Sequence, residues 1–222
     1  VNQNNLNQTL IIIVPNTTEY GGITQMWEDG SAIAICPRST DAYPYDSRGV
    51  LQHEAGGHAF GKLGDEYIYY NTFIDGNSAA SIRAAQSLGW YDNLSLTGKM
   101  HEVPWSHLIF DNRYSNLVDI YEGGFMHSRG VFRSEQNSCM NNNVPYFNAI
   151  SRESIVRRIK KYAGETFSFE EFVANDKTDA SSAVSATRGV GSTSTYHGRQ
   201  MPPKIHKGSP LKSIRKARRH RR

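Results

Sequence analysis

Two histidines five residues apart, with a carboxylate and two glycines between them, constrain this chain more than any other feature. They lie in His53-Glu54-Ala55-Gly56-Gly57-His58, within a stretch from Gly49 to Leu63 that reads as a helix. Each mid-helix glycine costs about 1 kcal/mol relative to alanine, so a chain that keeps two has a packing or functional reason. Paired imidazoles flanking a carboxylate are the donors a hydrolytic zinc site needs. The imidazoles hold the metal and the carboxylate handles the proton of a water. The common spacing of the histidines is four. At about 100° per residue, five residues leave the two side chains about 140° apart on a regular α-helix. Two arrangements repair this. One extra residue is absorbed as a π-bulge, a device found at functional sites, or Glu54 and His58 share a face and His53 stands aside. Gly56 and Gly57 ease a bulge, which favours the first. The bland alternative is a glycine-rich helix with two ordinary histidines.

The residues after this helix add to the metal reading. Gly61 is placed to end the helix with a left-handed cap. Asp65 and Glu66 come next, and a third ligand there would leave one coordination position open for water. An exposed acidic turn is the ordinary alternative. Farther on, Asn137-Ser138-Cys139-Met140-Asn141 reads as a turn with a methionine inside it.

The rest of the body reads as mixed α/β. Thr9–Val14 (TLIIIV) is a continuous apolar run that predicts a strand buried on both faces, and Ser31–Cys36 a second strand. Helices are expected at Ala79–Leu88, in the turn opened by Pro104, and at Ser151–Ala163. In the last, Ser151 would cap and Ile155, Val156, Ile159 and Tyr162 would form the apolar face. Short strands are expected at Leu117–Ile120 and Gly130–Phe132. Ser168 and Glu171 fit a capping box that opens a last helix running to about Ala174.

From residue 177 the texture changes to Ser, Thr and Gly, then to Pro and basic residues. The expected organisation is a body over 1–176 and a tail over 177–222. The formal charge of +4 hides this division. All 21 acidic residues lie at or before Asp179 with 14 of the 25 Lys and Arg, a net of 14 − 21 = −7. The remaining 25 − 14 = 11 basic residues lie beyond it. The basic character therefore belongs to the tail, which carries no base-reading motif, and this argues against a nucleic-acid partner. No apolar run approaches the ~18 residues of a membrane span. Cys36 and Cys139 leave a bridge or two buried thiols open, and the sequons at Asn7, Asn16 and Asn93 decide nothing in so Asn-rich a chain.

Taken together, the His-Glu…His pair, the following Gly and acid and the downstream Met turn follow the metzincin plan. More closely, HEAGGHAFGKLGDEY, the TLIIIVP…EYGG stretch, YEGG at Tyr121–Gly124 and GVFRSEQNSCM resemble the bacterial IgA-peptidase family of zinc metallopeptidases, over about residues 9–175. The resemblance implies a metzincin-like zinc peptidase fold, with a twisted mixed sheet, an active-site helix and a C-terminal helical subdomain. By position, His53 and His58 would be zinc ligands, Asp65 the third, Glu54 the general base, and Met140 a support beneath the metal. The broad metzincin pattern puts its third ligand where Gly64 stands, so Glu66, Glu122 and His127 remain candidates beside Asp65. The function implied is a zinc-dependent endopeptidase cleaving extended segments of extracellular proteins. A zinc-bound water would attack and Glu54 would take its proton. Tyr67, Tyr121 and Arg133 are candidates for the oxyanion donor by position alone.

The resemblance also implies that Ser31–Cys36 is the strand that pairs with substrate, and that the setting is the exterior or surface of a bacterium. The chain begins at Val1, and only 52 residues precede His53, so an upstream part of the sheet is expected to be missing. Two other classes fit the same residues: a non-catalytic protein-binding module on this fold, and an anionic-surface binder acting through the tail.

Overall fold

The first strand of the computed structural model departs from the sequence expectation. The structure describes residues 9–19, 21–176 and 202–210. Strand β1 (Leu10–Ile13) forms from the apolar run, but among the described residues it pairs with one neighbour only, β3 (Ala32–Ile35), in parallel. Leu10 packs on the core, whereas Ile11, Ile12, Ile13 and Val14 are 39–58% exposed. The expected burial on both faces is therefore wrong. A β-branched run sets the extended backbone; whether its faces are covered is decided by elements elsewhere in the chain.

Strand β2 (Ile23–Trp27) pairs antiparallel with the other side of β3, and β7 (Lys204–His206) pairs parallel with the outer side of β2. The sheet order is β1-β3-β2-β7. The Ser31–Cys36 strand is thus interior, with β1 on one side and β2 on the other, and has no edge to offer a substrate. That expectation is also corrected.

Helix α1 (Ser47–Leu51) is capped by Asp46, whose carboxylate accepts from the N–H groups of Arg48 and Gly49. It runs without a break into a π-helical segment, Gln52–Phe60. This segment packs its Ala55 and Ala59 against Met26, Ala34 and Val50 in one core cluster. A second, three-stranded sheet comes after the helix in the chain, with Met126–Arg133 between Ile68–Phe73 and Tyr121–Gly124. β4 (Ile68–Phe73) is parallel to β6 (Met126–Arg133), and β5 (Tyr121–Gly124) is antiparallel to it. The expected strand at Leu117–Ile120 is instead an approach segment, where Val118 is buried in the second core cluster and the carbonyl of Asp119 accepts the indole N–H of Trp105.

The helices are α2 (Gly76–Ser87), α3 (Ser106–Ile109), α4 (Cys139–Asn142), α5 (Ala149–Ala163) and α6 (Phe169–Asn175). The cap of α5 is Asn148, which accepts from the N–H of Ser151, so the helix begins earlier than expected. Its buried side is the first half, while Ile159 is 50% and Tyr162 41% exposed. Ser168 caps α6 as the sequence indicates. The architecture is mixed α/β, with two small mixed sheets and six helices besides the π segment among the described residues. No helix there is long and apolar enough to cross a membrane. Cys36 and Cys139 are both free and buried, and burial pushes the Cys36 thiol up to about 12.

Candidate metal centre

The π-helical winding answers the spacing problem. Bonds of the i→i+5 kind widen each turn, so residues five apart share a face; the N–H of Gly61 donates to the carbonyl of Gly56 at 2.9 Å in this pattern. The deviation is larger than one inserted residue, since it spans nine. His53 and His58 come together with ring centroids 4.7 Å apart at 82°. Gly57 is needed for contact, since a Cβ there would collide with Sδ of Met140. Gly61 does not take the left-handed cap. Its φ is −68°, and Lys62 adopts φ 57° instead.

Each imidazole is fixed through its far nitrogen. Nδ1 of His53 lies 3.0 Å from the carbonyl of Cys139, and Nδ1 of His58 lies 2.7 Å from that of Leu63. A carbonyl can only accept, so each Nδ1 carries the hydrogen and each Nε2 of a neutral ring is left as a donor of electrons. Both Nε2 atoms face one oxygen. Oδ1 of Asp65 is 3.0 Å from that of His53 and 3.1 Å from that of His58. In a tetrahedral site with bonds of about 2.0–2.1 Å, ligand atoms stand about 3.3 Å apart, so these three already sit at nearly that separation. His53 is 1% exposed, and Glu54, His58 and Asp65 are 0%. His58 Nε2, Asp65 Oδ2 and Glu54 Oε1 are buried without a hydrogen bond. One ligand atom from each of His53, Glu54 and His58 lies within 4.8 Å of the others. Asp65 is nearer to both rings than that. Buried polar atoms left open in one cluster could hold a cation, and two imidazoles with a carboxylate are a donor set that zinc takes.

The electrostatics agree. Burial works to lower the pKa of His58, but the Asp65 carboxylate outweighs it and holds the ring at about 9. Burial works to raise Asp65, and His58 and His53 overcome it to hold the carboxyl at about 2. A dry carboxylate between two rings demands positive charge, whether as a proton or as a metal ion. Glu54 is raised, chiefly by burial, with His58, His53 and Thr24 opposing. The Thr24 hydroxyl lies 2.7 Å from Oε2 of Glu54 and 3.1 Å from its backbone carbonyl, which leaves Oε1 free. A Cβ at Gly22 would lie 2.5 Å from that Oε1, so the glycine makes room for the carboxylate.

The segment bearing Asp65 is held from three sides. Asn93 takes the N–H of Gly64 and donates to its carbonyl, each at 2.8 Å. Glu66 accepts from Asn93 and Asn148 at 2.8 Å each and from the Ser138 hydroxyl. Its N–H donates to the carbonyl of Met140 at 2.8 Å. Both carboxylate oxygens of Glu66 are therefore engaged away from the histidines. Met140 is fully buried, with its sulfur against the helix at Gly57.

Glu122 and His127 are engaged elsewhere too. Glu122 accepts from the N–H of Gly130, and His127 meets Thr72 and Asp75. Arg133 donates to the carbonyls of Glu122 and Gly123, so it braces the β5–β6 hairpin, where Tyr121 stands opposite it. Only Tyr67 of the three oxyanion candidates lies at the site, its ring 6.2 Å from that of His53. Thr24, Asn93 and Asn148 do not stand out in the sequence. Thr24 has a weak signal, a small hydroxyl residue on the buried side of ITQMW; the two asparagines have none.

No family model matches the chain, and no curated protein matches it.

Proposed function

We propose that this chain is a zinc-dependent endopeptidase, with His53, His58 and Asp65 as the metal ligands and Glu54 as the general base. One observation carries the proposal: a single carboxylate oxygen lies 3.0 and 3.1 Å from two imidazole nitrogens whose opposite nitrogens are tied to backbone carbonyls. Zinc, when bound, supplies a Lewis acid for the scissile carbonyl and makes a water acidic enough to attack near neutral pH.

The chain's own residues do the rest. The two carbonyls of Cys139 and Leu63 keep the rings in the ligating tautomer. Thr24 holds one oxygen of Glu54, so the other takes the proton of the attacking water and passes it to the leaving amine. Tyr67 is the oxyanion donor in this reading, because its ring lies beside His53. The metzincin-like arrangement, the kinship with the IgA-peptidase family and an extracellular bacterial setting belong to the same proposal and rest on the sequence motifs around His53, Tyr121 and Met140. The partner is an extended segment of protein or peptide.

Digestion of a proteome-derived peptide library by the zinc-loaded chain tests this. Cleavage that stops with chelator and returns with zinc supports it. No cleavage under any metal condition overturns it.

A further inference from the structure

We infer that residues 202–208 of this chain occupy, as an added strand, the sheet edge along which an extended peptide would reach Glu54. The peptidase reading is needed for what this edge does, and not for what fills it.

Strand β2 has two edges. β3 takes one, and the outer edge is the row of backbone donors and acceptors that starts beside the proposed base, where Thr24 binds Glu54 and Gly22 lies against Oε1. Such an edge pairs with an extended polypeptide through main-chain hydrogen bonds, and pockets beside it select side chains. Here β7 fills it, with Lys204 opposite Gln25, Ile205 opposite Met26 and His206 opposite Trp27. The ladder continues past the strand, where the N–H of Glu28 donates to the carbonyl of His206 at 3.1 Å and that of Asp29 to Gly208 at 3.3 Å.

The side chains are fitted as well. Ile205 packs on the core cluster beneath the sheet. The His206 ring stacks on Trp27 at 5.0 Å, and its Nε2 lies 2.6 Å from the Gln25 amide oxygen. Because β7 runs parallel to β2, Pro202 and Pro203 lie toward the Thr24 end. Proline has no N–H to give, so the ladder ends there, on the side of Glu54.

The edge therefore selects an apolar side chain at the Ile205 place and a flat ring at the His206 place. A covalently attached strand competes with free peptide at a high effective concentration. The segment thus holds the chain in a self-blocked state, and a substrate enters by displacing it. The rival is a plain cover that protects an exposed edge and blocks nothing.

The test uses the full chain and its Ile205→Asp variant, with Ile205→Ala as a milder second. Circular dichroism establishes that each is folded. The probe is a fluorescent synthetic peptide of residues 202–210, followed by polarisation, and a mixture of quenched peptides reports cleavage by the zinc-loaded protein. The variants are expected to bind the probe while the parent chain does not, and to cleave at least about tenfold faster. Equal probe binding by parent and variants, or none by either, overturns the inference. Probe binding by the variants with an unchanged cleavage rate leaves β7 as a cover and overturns the block. Probe binding by the variants with no cleavage by any form removes the peptidase reading and leaves the occupied edge standing.

Discussion

Gly57 and Met140 are in direct contact across the π-helical segment, and a side chain on the first would displace the sulfur of the second. The contact seats the turn that carries Cys139, whose carbonyl orients His53. The glycine that looked costly in a helix is thus the point where the turn is pressed against the segment that carries His53 and His58.

Gly57→Ala is expected to lose about 1–3 kcal/mol of stability by overpacking. Met140→Ala alone should cost about 2–5 kcal/mol as a cavity. Combined, the two should be less harmful than their sum, because the alanine methyl enters space the thioether leaves. Denaturant unfolding of the four proteins measures this coupling.

Glu66 receives three side-chain donors and no cation touches it among the described residues, so its place is in the support of Asp65. Glu66→Gln turns an amide N–H₂ toward those donors. Zinc affinity is expected to fall by about 10–100-fold, the range seen when groups behind metal ligands are changed. Competition against a chelating dye checks it.

Two buried groups tilt stability in opposite directions with pH. Burial lifts the Glu135 carboxyl to about 7, with the N–H of Ala149, Tyr146 and Arg152 opposing and Glu66 adding to the rise. Its folded pKa exceeds the ordinary value of 4.5, so the folded state binds the proton more tightly, and stability falls as pH rises from 4.5 to 7. Burial lowers the Lys62 amine to about 7, over the ring of Trp90. Its unfolded state holds the proton up to about 10.5, so stability rises with pH from 7 to 10.5. In the metal-free chain His58, held at about 9, adds a fall from pH 6.5 to 9 that offsets the Lys62 rise there, so the two groups are read from their variants. Glu135→Gln should flatten the acid-side slope by up to about 3 kcal/mol and Lys62→Met the alkaline one by up to about 5 kcal/mol. Unfolding free energies from pH 5 to 10 test both.

Zinc should stabilise the folded chain against heat, since the unfolded chain holds no such cluster. At a hundred times its dissociation constant the gain is about 2.7 kcal/mol. A melting curve unchanged by zinc and by chelator would count against the site.

The meeting of His53, Glu54, His58 and Asp65 was legible because the four span thirteen residues and are the residue types that metal chemistry uses. The spacing pointed to a one-residue π-bulge as the favoured of two arrangements, and the structure extends that winding over nine residues. The support behind the site was not legible. Asn93 and Asn148 reach Glu66 from 27 and 82 residues away, and an asparagine that clamps a carboxylate looks like one in any loop. The apolar run at Leu10–Ile13 showed a strand but not its edge position, which β3 and the absence of a second partner among the described residues decide. β7 is three residues held by backbone bonds, so KIH in a basic tail gave no pattern to read.

Glu54→Gln separates metal binding from catalysis, because it keeps the shape of the side chain and removes its ability to take a proton. Metal analysis and peptide cleavage are run on the same zinc-loaded samples of the parent and the variant. One zinc per chain is expected in both proteins, with cleavage in the parent that falls by at least about a hundredfold in the variant. Cleavage by the variant at the parent's rate, or a parent chain that takes up no zinc, would refute the peptidase reading.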